Sequence, residues 1–198
     1  RLGKTILWRL LSDTTGEITM TLYSIVFLTI TLLAMLSGGR LSSRSKGVIF
    51  WGCAIGLIVL SAIRDFSVGA DTLNYCQGFQ YIRIRSFKDA LTFGWEQGYV
   101  ITNWLLGRFF KDSRALLVFM AVFILLPIFY WIKKESKWPV LSLLIFVGMG
   151  MWSASMFILR QWCAMAILTF SYKYIRERKF IPFLILVLIA MFFHRTAA

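Results

Sequence analysis

The chain has 198 residues, of which 59% are hydrophobic, and it carries a formal net charge of +13. Together with a mean hydropathy of +0.72, this composition exceeds that of soluble domains and indicates a protein that has lipid as its solvent. The Lys and Arg residues stand in short clusters between apolar runs, as topology signals do in membrane proteins, which argues against a nucleic-acid partner. The three cysteines share no metal-ligand spacing and are expected to be free.

Residues 1–19 form a lead-in that is either an amphipathic segment or upstream sequence without structural meaning. Residues 20–198 are predicted to form the transmembrane domain, because a bilayer core of about 30 Å is crossed by about 20 helical residues and apolar runs of nearly that length recur. The expected fold class is all-α, a polytopic transmembrane helical bundle of about six spans. The predicted spans are 20–37, 47–63, 115–132, 139–158, 161–175 and 181–197.

Segment 96–110 is an apolar run that is too short for a span, because Asn103 and Arg108 interrupt it. If it lies in the interface as a helix instead, the basic clusters at 40–46 (Arg40, Arg44 and Lys46), 133–137 and 173–179 all face the cytoplasm, as the positive-inside rule prefers. Residues 64–114 are then one long extracytoplasmic region. The polar residues expected to share that outer face are Arg64, Asp65, Asp71, Glu96, Arg160 and His194.

Two of these residues belong to the later spans. Arg160 is the only charged residue between Pro139 and Tyr172, and an arginine at membrane depth is a functional candidate by default because its insertion is costly. The alternative is an arginine at a helix turn that reaches headgroup phosphates. His194 is the sole histidine, and it is either a functional group or a hydrogen-bonded packing residue.

The outer region contributes the other candidates. Arg64 is either a functional residue or a snorkelling anchor in the lipid, and Asp71 is either a functional carboxylate or the N-cap of a helix that begins at Thr72. Glu96 has the alternative of a solvated loop residue. Ser86 and Asp89 have the spacing of a capping box and predict a short helix there. Trp95 and the aromatic residues after it are interpreted as an interfacial belt.

Three blocks of the sequence carry a family resemblance, and they are Arg64 with Val68-Gly69-Ala70-Asp71, Tyr75 and Phe79; Glu96-Gln97-Gly98-Tyr99; and Arg160-Gln161 leading to Phe193-His194-Arg195-Thr196-Ala197. In order and spacing they resemble the EpsG-like branch of Wzy-type polysaccharide polymerases. Ala70 and Thr196 stand where that family usually has Thr and Ser. The family's chains are about twice as long, so this sequence is expected to cover roughly the N-terminal half.

The resemblance implies a multi-pass protein of the bacterial cytoplasmic membrane that polymerises undecaprenyl-pyrophosphate-linked repeat units into surface polysaccharide. Its partners would be lipid-linked oligosaccharides, membrane lipids and other exopolysaccharide-assembly proteins, and whether the bundle is GT-C-like stays open. No metal or other cofactor is expected, because the carboxylates are scattered along the sequence and Arg64 and Arg160 can neutralise the leaving group. The alternatives are a flippase or transporter of lipid-linked glycans and a scaffold subunit of an exopolysaccharide synthase complex. The implied catalytic residues are Asp71, ranked first as general base, and His194, and the implied substrate-binding residues are Arg64, Arg160, Gln161, Tyr75, Glu96 and Tyr99.

Overall fold

The computed structural model describes residues 2–39 and 41–197, with the side chains of residues 20–39 and 41–196. This part of the chain is all-helical, as the sequence predicts. Its elements are α1 (Leu2–Gly38), α2 (Ser43–Ile63), α3 (Thr72–Arg83), α4 (Phe87–Ala90), α5 (Gln97–Phe109), α6 (Arg114–Glu135), α7 (Pro139–Gly148), α8 (Met151–Phe157), α9 (Leu159–Arg176), α10 (Phe180–Phe193) and a 3-10 turn, Arg195–Ala197.

The expected number of about six spans is not confirmed. Among the described residues, three helical stretches are long and apolar enough to cross a bilayer, namely Met20–Gly38 of α1, α2 and α6. The predicted span 139–158 is divided into α7 and α8, which are bent by 60° relative to each other and make a fourth crossing only if the bent pair counts as one. The break falls at Gly150, whose φ of +72° is a left-handed conformation suited to glycine.

The last two predicted spans do not meet the same standard, for different physical reasons. Helix α9 has 18 residues and includes three cations, Arg160, Lys173 and Arg176. Helix α10 is strongly apolar but has only 14 residues, and at 1.5 Å per residue it is about 21 Å long, well short of the bilayer core. Both helices nevertheless pack in the same bundle, with α9 lying between α6 and α10.

The bundle has a basic end, where the predicted cytoplasmic clusters meet. The ammonium of Lys133 lies 5.7 Å from the ring centroid of Phe50, and that of Lys46 lies 6.0 Å from the ring of Trp138. The start of α2, the end of α6 and the start of α7 are therefore neighbours. An ion pair of 2.7 Å between Arg176 and Glu135 adds the end of α9 to this group. Arg40 lies outside the described residues.

The opposite end, called the site end below, carries residues 64–114 together with the end of α8, the start of α9 and the end of α10. Helices α3 and α5 lie side by side there, because Gly107 of α5 has no side chain and a Cβ in its place would lie 2.3 Å from the Cβ of Arg83. Arg108 donates to the backbone carbonyl of Arg83. Ser86 caps α4 by accepting a hydrogen bond from the amide of Asp89, so the predicted short helix and its cap are confirmed. The full capping box is not, because the Asp89 carboxylate accepts from the Ser86 hydroxyl and not from the Ser86 backbone amide.

Candidate functional site

Glu96 occupies the centre of a polar cluster at the site end. Its Oε2 accepts a hydrogen bond of 2.5 Å from Nη1 of Arg160, and its Oε1 lies 3.3 Å from Nδ1 of His194. The side chains of Glu96, Arg160 and His194 are 12%, 28% and 23% exposed, respectively. A carboxylate thus lies between a cation and an imidazole, in a place that is sheltered but keeps some contact with solvent.

The three residues come from three separate segments, and the local packing explains how they meet. Glu96 precedes α5, Arg160 is the second residue of α9, and His194 follows α10. Gly98 makes the approach of α5 to α10 possible, since a Cβ at this position would lie 2.8 Å from the carbonyl oxygen of Phe192. The glycine in the Glu-Gln-Gly-Tyr block therefore places the Glu96 carboxylate next to the end of α10.

The electrostatics of Glu96 reflect this arrangement. Burial by itself raises the pKa of the Glu96 carboxyl group. Hydrogen bonds from its own backbone amide and from Arg160, together with the charge of Arg160, lower the pKa by more than burial raises it. The net pKa of Glu96 is below its ordinary value, so the carboxylate is ionised at neutral pH. The Nδ1 atom of His194 is buried and completes no hydrogen bond within the described part of the chain, despite its closeness to Glu96.

Aromatic rings form one side of this cluster. The guanidinium of Arg160 lies 5.7 Å from the ring centroid of Trp95, and the rings of Tyr75, Trp95 and Tyr99 pack against one another at 5.4 to 5.6 Å. Gly78 leaves the space for Trp95, because a Cβ there would lie 2.1 Å from the indole ring. Burial raises the pKa of Tyr75, although its hydrogen bond with Arg160 acts in the opposite direction. Trp95 was expected in an interfacial belt and not in the site, and its position directly before Glu96 was the available signal.

Tyr99 lies at the buried side of this aromatic group. It has no exposed surface, and its hydroxyl has no partner that meets hydrogen-bond geometry in the described part of the chain. Gln161, by contrast, is exposed next to Arg160. The substrate-binding roles expected of Tyr99 and Gln161 stay predictions.

Asp71 lies at the N-cap position of α3, but its side chain makes no capping hydrogen bond. It is exposed, and its backbone carbonyl accepts a hydrogen bond from the amide of Tyr75, so it lies one helical turn from the aromatic group. The loop before it packs against α8, because Gly69 has a φ of +96° and a Cβ there would lie 2.7 Å from that of Phe157. A carboxylate without a capping role near the aromatic group fits the functional alternative, and its role as a base stays a prediction.

Arg64 is engaged in a different place. Its guanidinium donates to the carbonyls of Ser61 at 2.6 Å and of Met156 at 2.7 Å, and its own carbonyl accepts a hydrogen bond from Arg114. The side chain is buried, and burial lowers its pKa to about 10. The residue therefore ties the end of α2 to the end of α8 as a cation, and its expected contact with pyrophosphate stays a prediction. Asp65 bonds instead to the amide and hydroxyl of Ser67.

Comparison with protein families places these residues in a known group. A family model described as the EpsG family matches residues 48–198, which is about three quarters of the chain. The chain belongs to the EpsG family. The resemblance of the three sequence blocks is thereby confirmed, and every residue of the cluster lies within the part that matches the EpsG model. A search of curated proteins and a search of solved structures found no significant match.

Proposed function

We propose that this EpsG family member polymerises oligosaccharide repeat units linked to undecaprenyl pyrophosphate, at the outer face of the bacterial cytoplasmic membrane. Membership in the family suggests a polymerase that acts on polysaccharide. The observation that carries the proposal is the contact of Glu96 with both Arg160 and His194 beside an aromatic group. This combination supplies a cation, a candidate proton acceptor and the partly exposed ring of Trp95, on which a sugar ring can pack.

The proposed reaction is a glycosyl transfer with a balanced set of bonds. A hydroxyl oxygen of the acceptor repeat unit attacks the anomeric carbon of the growing glycan, and the bond from that carbon to the pyrophosphate oxygen breaks. The lipid pyrophosphate leaves with the bonding electrons, and the hydroxyl proton passes to a base. A guanidinium is well suited to the developing phosphate charge, because it offers two parallel donors and stays ionised. We assign this role to Arg160.

Two residues compete for the role of base. Asp71 is exposed and makes no capping bond, and His194 has its Nδ1 beside a carboxylate. The Glu96 carboxylate lies 3.3 Å from Nδ1 without a completed hydrogen bond, and a small rotation of the ring would let Nδ1 donate to it. That bond would orient the imidazole and leave the other nitrogen to act on a substrate. The geometry therefore favours His194 as the base, with Glu96 as the residue that positions it, and Asp71 as a contact to the acceptor. This reverses the order that the sequence alone suggested.

The position of the cluster supports a reaction over transport. Transport paths place polar groups near the middle of the membrane, whereas Glu96, Arg160 and His194 lie where helices begin or end.

The location of the cluster outside the cytoplasm rests on the charge pattern. It can be tested with cysteine substitutions at Lys88 and Lys111, both exposed, and at Lys134 on the basic end. A membrane-impermeant maleimide should label the first two in intact cells and the third only after permeabilisation. If the cysteines at positions 88 and 111 were labelled from opposite sides of the membrane, the proposed topology would be wrong.

The function itself is tested with Arg160→Ala and Arg160→Lys in the full-length protein. Both variants should abolish polymer in cells and in an assay with synthetic lipid-linked repeat units, since lysine offers a point charge without the paired donors. Arg176→Ala, on the same helix but in an exposed ion pair, is the matched control and should keep the normal ladder of chain lengths. Unpolymerised repeat units should accumulate on the outer face; accumulation on the inner face would indicate a flippase.

The same assay tests whether the transfer needs a metal ion. In the part of the chain that the structure describes, no three His, Cys, Asp or Glu side chains form a metal-binding group. We expect activity to persist in excess chelator, with Arg160 neutralising the leaving group. Activity that disappears with EDTA and returns with Mg²⁺ would assign Asp71 or Glu96 to a metal instead.

A further inference from the structure

A cleft between α6, α9 and α10 lies at the basic end, away from the polar cluster. Its volume is about 420 Å³. The walls are aromatic and aliphatic, and the residues that matter here are Tyr130, Trp131, Phe170, Tyr172, Ile185 and Leu186. Tyr130, Phe170 and Ile185 are themselves exposed, so the cleft faces outward along the side of the bundle. A molecule in the bilayer could enter it laterally.

A second, polar cavity of about 330 Å³ adjoins the cleft and is lined by charged residues alone, Lys134, Glu135, Lys173, Arg176 and Glu177. Lys134, Glu135 and Lys173 line both cavities. The apolar cleft therefore opens directly into a charged rim. The cleft is apolar along the side of the bundle and charged at its rim, which matches the apolar chains and charged headgroup of a phospholipid.

The charges of the rim are not balanced. The carboxylate of Glu135 is paired with Arg176 at 2.7 Å, and that of Glu177 is paired with Lys179 at 2.8 Å and with Lys173 at 3.8 Å. Among the residues that the structure describes, Lys134 has no ion pair. Because both carboxylates already have partners and a cation is left over, the rim favours an anionic group.

We propose that this cleft binds an anionic glycerophospholipid of the cytoplasmic leaflet, with its phosphate at Lys134 and Lys173 and one acyl chain along the aromatic wall. The rim belongs to the clusters that charge counting assigns to the cytoplasmic side, where the leaflet is rich in anionic lipids. A soluble anion would need only the rim, and a helix of a partner protein would not need the lysines. The combination of both surfaces selects the lipid, and this site is independent of the proposed polymerisation.

The proposal is tested by native mass spectrometry of the full-length protein with phosphatidylglycerol and phosphatidylcholine of the same chain length. Phosphatidylglycerol should be retained selectively. Lys134→Gln with Lys173→Gln should lower its affinity by about fivefold for each lysine removed. The control pair, Lys88→Gln with Lys111→Gln, carries the same loss of charge at the site end and should bind as the wild type does. Equal retention of the two lipids, or an unaffected Lys134 and Lys173 variant, would overturn the proposal.

Two further measurements test the position of the acyl chain and distinguish the lipid from other possible occupants of the cleft. Phosphatidylglycerol with brominated chains should quench a part of the tryptophan emission that Trp131→Phe removes, because Trp131 lines the cleft; quenching that is the same in both proteins would contradict the acyl-chain position. Millimolar inorganic phosphate should not displace the lipid, and displacement would indicate a free-anion site. A dimer in the same spectra without lipid selectivity would show that a second copy of the chain fills the cleft.

Discussion

The two ends of the bundle hold arginine–glutamate pairs of similar length in different surroundings. The Arg160–Glu96 pair at the site end measures 2.5 Å, with side chains 28% and 12% exposed. The Arg176–Glu135 pair at the basic end measures 2.7 Å, with side chains 63% and 21% exposed. Distance alone would make them equivalent. An exposed pair contributes about 0–1 kcal/mol, whereas removal of one partner from a sheltered pair leaves a poorly solvated charge.

The difference also concerns what each pair can do. Each arginine pairs with a glutamate from another helix or its flank, and at the basic end the Arg176 side chain is largely exposed to solvent. At the site end, the Arg160–Glu96 pair has His194 close to its carboxylate and lies beside Trp95. Water screens the Arg176–Glu135 pair, whereas protein groups surround the Arg160–Glu96 pair, as a preorganised site requires. The two pairs therefore serve as each other's control.

The largest effect is expected from Glu96→Gln compared with Glu135→Gln. Loss of the Glu96 charge leaves Arg160 without its partner and His194 without its orienting group. We expect polymer to be lost and the free energy of unfolding to fall by about 1–3 kcal/mol, whereas Glu135→Gln should cost less than about 1 kcal/mol and keep the normal ladder. Thermal unfolding in detergent and gel analysis of polymer measure the two effects. Equal costs at both ends would remove the distinction drawn here.

A smaller effect is expected from Gly98→Ala, which tests how the site end is assembled. The added Cβ would lie 2.8 Å from the backbone oxygen of Phe192, so α5 and α10 must move apart and carry Glu96 away from His194. We expect a loss of about 1–3 kcal/mol in stability and a fall in polymerisation of about tenfold or more, because misplacement by about 1 Å is costly in catalysis.

The control for this substitution is Gly56→Ala in α2, where a Cβ would meet nothing within 4 Å. Alanine favours a helix over glycine by about 0.5–1 kcal/mol, so this variant should be neutral or slightly stabilised. A Gly98→Ala protein with full activity would show that the contact of α5 with α10 does not set the position of His194.

Several features of the fold could be predicted from the sequence because they depend on local pattern. The apolar run 115–132 became α6, Arg114–Glu135, and the Ser86 cap is present. Charge counting also brought Glu96, Arg160 and His194 to one end, since the basic clusters left few arrangements of the chain. The division of 139–158 at Gly150 was not predicted, because a run of apolar residues does not show the direction of its helix axis.

The partners of the site residues could not be predicted, because they depend on how distant segments pack. The sequence ranked Asp71 above His194 as base and gave Glu96 only a binding role, since nothing local shows that the Glu96 carboxylate contacts Arg160 and approaches His194. Arg64 matches the family pattern, but its guanidinium donates to two backbone carbonyls. Charge counting predicted that these groups share one end of the molecule, and the close packing at Gly98 decides which of them meet.

The smallest effect is a difference in how acid and salt act on the two ends. The pKa of Glu96 and that of Glu177 are both below the ordinary value. In Glu96, burial raises the pKa, but hydrogen bonds and the charge of Arg160 outweigh that effect. In Glu177, the hydrogen bond from Lys179 is the main cause. A carboxyl group with a lowered folded pKa stabilises the protein above its unfolded pKa, and that contribution is lost as the pH falls through the folded value. The stability difference between the wild type and Glu96→Gln should therefore shrink from pH 7 to about pH 3.5, and so should that for Glu177→Gln. In 1 M salt the Debye length is about 3 Å, so the contribution of Glu177, whose side chain is 35% exposed, should fall sharply while that of Glu96, at 12%, persists. Unfolding midpoints of the three proteins in a non-ionic detergent, at both pH values and at low and high salt, measure this difference. If salt removed both contributions equally, Glu96 would be as accessible to solvent as the basic end, and the sheltered site proposed here would be wrong.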